Sequence, residues 1–311
     1  MLFTNRFYNR AATAPAKRIE EARRMVGEAE CILIGAGAGL STAAGLSYAG
    51  ADFEREFRPW IERYGITNLY SSSFHPFATE EERWAYWARH IWFARYRPEA
   101  LPLYRELLRM VEGRDYFVIT TNTDGQFLKA GFEGQRLFYT QGDYAYLQDA
   151  EGEDKRLYYN EETVMQMLAH TSRDCRIPSA MVPHDPVNGH KMAVNLRCDD
   201  TFVEDEEWHR MCRRYEEFVG RAAGRRLVML EFGVGFNTPG IIRFPFEQMA
   251  AQFPHAALIR FNAHDPQLIA ARPRRYICFA KNLDTALIHK LLSPDISTPG
   301  NCSNIAQNSS E

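Results

Sequence analysis

Five short segments of this 311-residue chain carry residue types that could do chemistry. The first is Gly35-Ala36-Gly37-Ala38-Gly39, followed by Leu40-Ser41-Thr42 and by Gly45-Leu46. Glycines at this density allow a tight turn and close backbone approach, and a helix starting there would offer free N–H groups and a positive dipole end to a phosphate. The pattern points to a dinucleotide, yet Leu40 and Thr42 break G-x-G-x-x-G and no acidic residue stands clearly at the end of a second strand. A hydride-transfer dehydrogenase is therefore disfavoured. The second segment is Thr121-Asn122-Thr123-Asp124-Gly125, where an amide and a carboxylate two apart could grip a ribose or orient a water, or simply make a turn. Thr140-Gln141-Gly142-Asp143, Gly233-Val234-Gly235 and Asn262 are the others. Asp143 could touch substrate or cap a turn, and both readings stay open.

These segments need rigid elements to hold them. Cys31–Ile34, Tyr116–Thr120, Leu227–Phe232, Ala256–Phe261 and 276–280 are short apolar runs that read as buried strands. Helical periodicity appears at 16–29, 80–96, 101–112, 206–223 and 282–292. In 80–96, Trp84, Trp87, Ala88, Ile91 and Trp92 fall on one face, which predicts core packing. The polar stretch 143–200 has weak periodicity and reads as an inserted small module. Strands and helices alternate at both ends of the chain, so the predicted fold class is α/β: a Rossmann-like parallel sheet with helices on both faces. Ligands of such sheets sit past the carboxyl ends of the strands, where all five segments would lie. The expected organisation is a flexible arm over 1–16, a catalytic domain over 17–292 and a disordered tail over 293–311. Within the domain, 17–50, 110–142 and 225–292 would form the sheet, and 50–110 with 143–200 the small module.

Composition narrows the function classes. Hydrophobic residues make up 45% and charged residues 25%, which suits a globular protein. A net charge of −3 gives no overall nucleic-acid footprint, even with 31 arginines against six lysines. No apolar stretch is long enough to span a bilayer, so no membrane is expected as a partner. The six cysteines spell neither C-x-x-C nor a disulfide framework, which makes a reducing cytoplasm the default compartment. The N-terminus has no acidic residue before Glu20; a transit peptide would fit this, and a short arm is the simpler reading. The acidic run 204–207 reads as a solvated face or a helix start.

Taken together, the motifs carry a resemblance. Gly37 to Leu46 resembles the sirtuin signature GAG-[IL]-S-x-x-[SA]-G-[IL], and Thr121 to Asp124 with Lys129-Ala130-Gly131 resembles the TQNID…KAG block. Thr140-Gln141-Gly142 stands where sirtuins have an HG pair, Gly233-Val234-Gly235 resembles the GTS turn, and Asn262 resembles the Asn that contacts the adenosine ribose. The blocks occur in family order over about 17–292. The resemblance implies NAD as co-substrate. It further implies that Gly37, Ala38, Gly39, Ser41 and Thr42, with Gly45 and Leu46 behind them, cradle the pyrophosphate. Gly233, Val234, Gly235 and Asn262 would hold the adenosine half, with Thr121, Asn122, Asp124 and Gln141 at the nicotinamide ribose.

The departures resemble one branch, the class M or macrodomain-linked sirtuins. Gln141 replaces the general-base His, Ser47-Tyr48-Ala49-Gly50 replaces P-x-F-R, and Asp185 and Asn188 replace one zinc-ribbon thiol pair. The other pair would fall near Asp149 to Lys155, which holds no Cys, so no zinc is expected. The blocks 35–48, 70–77, 81–87, 120–124, 141–144 and 195–208 are similar to that branch's hallmarks. The resemblance implies transfer of ADP-ribose from NAD to a lipoylated glycine-cleavage-H-like carrier protein, with a partner macrodomain hydrolase removing it. An amide cannot take a proton near neutral pH, so Gln141 can orient a hydroxyl but cannot act as a base. An ionised carboxylate acceptor needs no base, whereas deacylation should lose about 10²–10⁴-fold. The catalytic set expected is Asn122, Gln141 and Asp124. The alternatives are a lysine deacylase using another base, with His75, His184 and His264 as candidates, an NAD hydrolase, and a non-catalytic NAD sensor.

Overall fold

The computed structural model describes residues 15–281 and 283–292. Of the expected arm, residues 1–14 lie outside it, as does the whole tail 293–311. The elements in chain order are α1 (Pro15–Glu28), β1 (Cys31–Ala36), α2 (Ala38–Ala43), α3 (Ala51–Glu56), α4 (Arg58–Tyr64), α5 (Leu69–Ser72) and α6 (Glu80–Ile91). They continue as α7 (Pro102–Val111), β2 (Tyr116–Thr120), α8 (Gln126–Lys129), β3 (Leu137–Tyr139), β4 (Gly142–Asp149), β5 (Tyr158–Tyr159), α9 (Glu161–His170) and β6 (Met192–Leu196). The last are α10 (Glu206–Ala222), β7 (Leu227–Phe232), α11 (Arg243–Gln252), β8 (Ala257–Phe261), β9 (Tyr276–Phe279) and α12 (Thr285–Leu292).

Six strands form a parallel sheet in the order β3-β2-β1-β7-β8-β9. The order reverses between β1 and β7, the crevice where open α/β sheets bind ligands. β1, β2, β7 and β8 are buried on both faces, which is why they read as continuous apolar runs in sequence. The period-two rule sorts the residues: Ile32, Ile34, Val118, Val228 and Leu230 pack with α1, α7 and α12, whereas Leu33, Phe117, Ile119, Met229 and Leu258 pack with α10 and α11. Helix α7 packs on this sheet through Tyr104, Leu107 and Val111. It belongs there rather than with the 50–110 insertion in which the sequence reading placed it.

A second core lies under a three-stranded antiparallel sheet, β5-β4-β6, built from the polar stretch 143–200. Helix α6 lays its aromatic stripe into it: Trp84, Trp87, Ala88 and Ile91 are buried, and Trp92 is half-buried. Thr79 caps α6 by accepting the Glu82 N–H, and Glu80 to Glu82 sit favourably at its positive end. The helix does not run on to Tyr96 in α form. Residues 92–96 widen into a π turn, which sets Arg95 against Asp143 and Arg97 against Asp52. Also in this core, His90 bridges the hydroxyls of Tyr86 and Tyr144, and burial pushes its pKa down to about 3.

Candidate active site

The five segments converge on the carboxyl edge of the large sheet. Gly37, Gly39 and Gly233 make two loops touch: a Cβ on Gly39 would lie 2.7 Å from Gly233 Cα, and one on Gly37 2.8 Å from Gly233 O. Gly233 also takes a φ of 59°, which a side chain disfavours. The N–H groups of Gly37 and Gly39 already donate to Phe232 O and Gly233 O. What these glycines contribute is therefore close approach rather than donors. Ala38, which opens α2, and Thr42, in its last turn, are exposed, with the Thr42 hydroxyl bonding back to Ala38 O. Gly45 is open and takes a φ of 102°, while Leu46 is buried beside it.

Ser41 differs from expectation. It is 1% exposed, and its hydroxyl lies 2.5 Å from Asp124 Oδ2, 2.9 Å from the Tyr104 hydroxyl and 3.0 Å from Asn122 Nδ2, which donates to it. The hydroxyl thus belongs to a buried network that ties α2 to the Asn122 loop and to α7. Asp124 also accepts the Gln126 N–H, and burial raises its carboxyl above the ordinary Asp value despite the Ser41 hydrogen bond. Tyr104, reaching in from α7, is a site residue that the sequence reading missed. It sits at an apolar-periodic helix position, where nothing marks a polar role.

Thr121 is tied to the β1 exit, its N–H donating to Ala36 O. Gln141 leaves the neighbouring strand, since β3 pairs with β2 through Thr120 and Tyr139. Thr140 donates to Thr120 O, and the Tyr144 N–H donates to Thr123 O, so the two loops are hydrogen-bonded to each other. The Gln141 carbonyl accepts the Arg197 N–H, and its side-chain amide has no hydrogen-bond partner among the described residues. Both open readings of Asp143 meet a definite geometry. It forms a two-pronged ion pair with Arg95, at 2.8 and 3.3 Å, and caps the turn at the Ala145 N–H.

At the other end of the crevice, Asn262 Nδ2 donates to Val234 O at 2.9 Å, and its Oδ1 accepts the N–H groups of His264 and Asp265. One donor of that amide remains for a ligand. A Cβ on Gly235 would meet only Asp265 Oδ2, at 3.9 Å. Beneath these loops lie four fully buried charges. Arg260 contacts Glu231 at 2.7 Å and Glu247 at 2.8 Å, while Arg243 donates to the carbonyls of Val234, Asp265 and Gln267. The sequence reading missed this quartet, although a signal was present: Glu231 and Arg260 are lone charges in apolar strands, and they pair in register.

The candidate bases lie apart from Gln141 in their contacts. His75 packs between Tyr64 and Phe77, His184 bonds Val182 O, and the His264 N–H bonds Asn262. The two segments where ribbon thiols would fall do meet, at the carboxylate of Asp149. It accepts N–H bonds from Glu151, Glu153 and Asp154 and side-chain bonds from Asn188 and His190. Burial works to raise this carboxyl, but those donors outweigh it and leave it far below the ordinary range. Among the described residues no group of three or more His, Cys, Asp or Glu side chains could hold a metal ion. Asp205 in the acidic run caps α10 through the Trp208 N–H, with Glu206 and Glu207 in its first turn. No described helix is long and apolar enough to cross a membrane.

No protein-family model matches the chain. It is 30% identical over 286 residues to a protein ADP-ribosyltransferase of Staphylococcus aureus, covering 92% of this chain and 90% of that one. It is 32% identical over 244 residues to a probable bifunctional ADP-ribose hydrolase/ADP-ribosyltransferase of Fusarium oxysporum f. sp. cubense, a match covering 76% of this chain and only 40% of that longer protein. Among solved structures, a mutant Sir2 homologue in complex with ADP-ribose superposes with a TM-score of 0.54 over 88% of this chain and 94% of that one, at 12% identity. The sheet, its crevice and the extent of the first match lead to one conclusion: the chain belongs to the sirtuin-like protein ADP-ribosyltransferases.

Proposed function

We propose that the protein transfers ADP-ribose from NAD to a protein acceptor and releases nicotinamide, the acceptor being a lipoylated glycine-cleavage-H-like carrier. One observation carries this reading: in a sirtuin-type crevice, the loop that carries Gln141, an amide rather than an imidazole, is hydrogen-bonded to the loop that carries Asn122 and Asp124. Asn122 and Gln141 would orient the nicotinamide ribose, and Asp124 would hold the carboxamide. Ala38 and Thr42 would face the pyrophosphate. Val234, Gly235 and the remaining donor of Asn262 would meet the adenosine half.

The bond from C1′ to the nicotinamide nitrogen breaks with its electron pair leaving on nicotinamide, and an acceptor oxygen forms the new bond to C1′. Positioning is the main contribution this chain can make to such a step. An ionised carboxylate on the acceptor completes it with no proton to remove, which fits an amide at the position where sirtuins have their histidine. Acyl-lysine removal would need a base that Gln141 cannot supply. A macrodomain hydrolase as the partner that reverses the modification follows the same reading, supported by the two activities named for the Fusarium relative. The proposal assigns the protein to the cytoplasm, in keeping with five unpaired cysteines among the described residues.

The test incubates purified protein with NAD and the lipoylated carrier and records the carrier's intact mass. Unmodified carrier and an acetyl-lysine peptide run in parallel. A gain of one ADP-ribose on the lipoylated carrier alone is expected. Deacetylation of the peptide with no gain on either carrier would overturn the proposal.

A further inference from the structure

A basic cavity lies at the opposite edge of the large sheet, away from the crevice. It has a volume of about 540 Å³ and opens between the amino end of β2 and the outer face of α10. Five arginines line it, Arg136, Arg210, Arg213, Arg214 and Arg221, against three carboxylates, Asp115, Glu133 and Glu217. Pairing leaves the arginines in excess. Arg136 pairs with Glu133, Arg210 with Glu207, and Asp115 is taken by Arg225. Arg214 bonds only the neutral Gln135, Arg221 lies over the ring of Phe218, and Arg213 and Arg221 have no ion pair among the described residues. Glu217 alone is left to offset these three guanidinium groups.

The cavity does not end at this patch. Gln135 also lines a second, more apolar groove of about 540 Å³, walled by Leu137, Phe138, Trp208 and Met211. This groove follows β3, the edge strand of the sheet. Its far end is lined by Gly142 and Asp143, the two residues that follow Gln141. Asp143, Asp205 and Glu207 also line it, and each is occupied: by Arg95, by the α10 cap and by Arg210. A strip of surface therefore runs along the edge strand from free arginines, over apolar side chains, to the loop that carries Gln141.

We infer that this strip docks an acidic segment of the acceptor protein: its carboxylates meet Arg213, Arg214 and Arg221, and its apolar residues lie along β3 toward the Gln141 loop. Guanidinium groups without partners favour carboxylates, and complementary charge at the rim of an apolar groove fixes orientation. The inference rests on the transferase reading for the identity of the segment.

The test measures fluorescence anisotropy of a labelled twelve-residue peptide of alternating Glu and Leu against the full chain, without NAD. A Lys/Leu peptide and a twelve-nucleotide single-stranded RNA serve as competitors. The combined substitution Arg213→Ala, Arg214→Ala and Arg221→Ala should weaken Glu/Leu binding about tenfold or more. The three Arg→Lys changes should largely restore it, and Arg24→Ala, Arg58→Ala and Arg109→Ala together should leave it unchanged. A photo-reactive leucine in the peptide should cross-link within 134–146 or 203–211. Equal binding by both triple-Ala variants, cross-links elsewhere, or tighter binding of the RNA would overturn the inference. With the lipoylated carrier, the KM for carrier should rise about tenfold in the first triple variant, while acceptor-free nicotinamide release stays the same. Absence of any transfer would count against the proposed function, and the peptide would still judge the surface.

Discussion

The two ends of the crevice are built from different materials. At the Asn122 end, a serine, an asparagine, a tyrosine and one carboxylate share hydrogen bonds, and the Gln141 loop is bonded to the same strand exit, its amide unengaged among the described residues. At the Asn262 end, Arg243, Arg260, Glu231 and Glu247 are packed together out of water, and Arg243 reaches up to hold the loops by their carbonyls. Both ends are buried, but the first is built mostly from neutral groups and the second rests on four charges. Opposite charges held together out of water suit a floor that grips a part of the ligand that does not change. A mostly neutral network with one strained-up carboxylate suits the place where bonds change.

Breaking the floor should have the largest effect. Arg260→Ala leaves Glu231 and Glu247 buried without their main partner and should cost about 3–5 kcal/mol in urea unfolding. If the substitution costs less than about 1 kcal/mol, the two ends are not built differently and the comparison fails. The next test separates the ends by pH. Asp124 has a folded-state pKa above its ordinary value of 3.8, so the folded protein favours its protonated form, and that contribution is lost as pH rises through the folded pKa. Glu247 has a lowered pKa: its burial is outweighed by the Ile269 and Ala270 N–H groups and by Arg260. Its contribution is present above the ordinary value of 4.5 and is lost as pH falls. Asp124→Asn should therefore gain stability relative to the parent as pH climbs from 3.8, by at most about 1.4 kcal/mol per pH unit, whereas Glu247→Gln should lose most at the neutral end. Unfolding curves between pH 4 and 7.5 read both signs, and equal slopes would remove the contrast. The smallest effect is expected for Tyr104→Phe, which deletes one hydroxyl from the network. It should cost about 1 kcal/mol and lower kcat a few-fold with the KM for NAD unchanged.

Much of this was legible in the sequence because local rules set it. The apolar runs at 31–36, 116–120 and 227–232 could hardly be anything but buried strands, and glycines at 37, 39 and 233 announce loops in contact. Block order then assembled them into one crevice. What was not legible depends on partners far apart in the chain. Ser41 looks like a phosphate ligand until Tyr104 and Asp124 close on it from 63 and 83 residues away. The π turn at 92–96 accompanies the pairing of Arg95 with Asp143, which no periodicity encodes. The Asp149 hub joins two segments whose only sequence sign is the absence of cysteines. The Glu231–Arg260 pair was the missed opportunity, since opposite charges in adjacent apolar strands are visible without a structure.

The central claim is that the Asn122 end performs the bond-breaking step while the rest of the crevice binds. The most direct measurement compares Asn122→Ala with the parent protein, pairing NAD calorimetry with the rate of nicotinamide release. The account predicts that release falls at least about 100-fold while the NAD Kd changes by less than about tenfold and the melting temperature stays within about 2 °C. Release at the parent rate with normal NAD binding would contradict it.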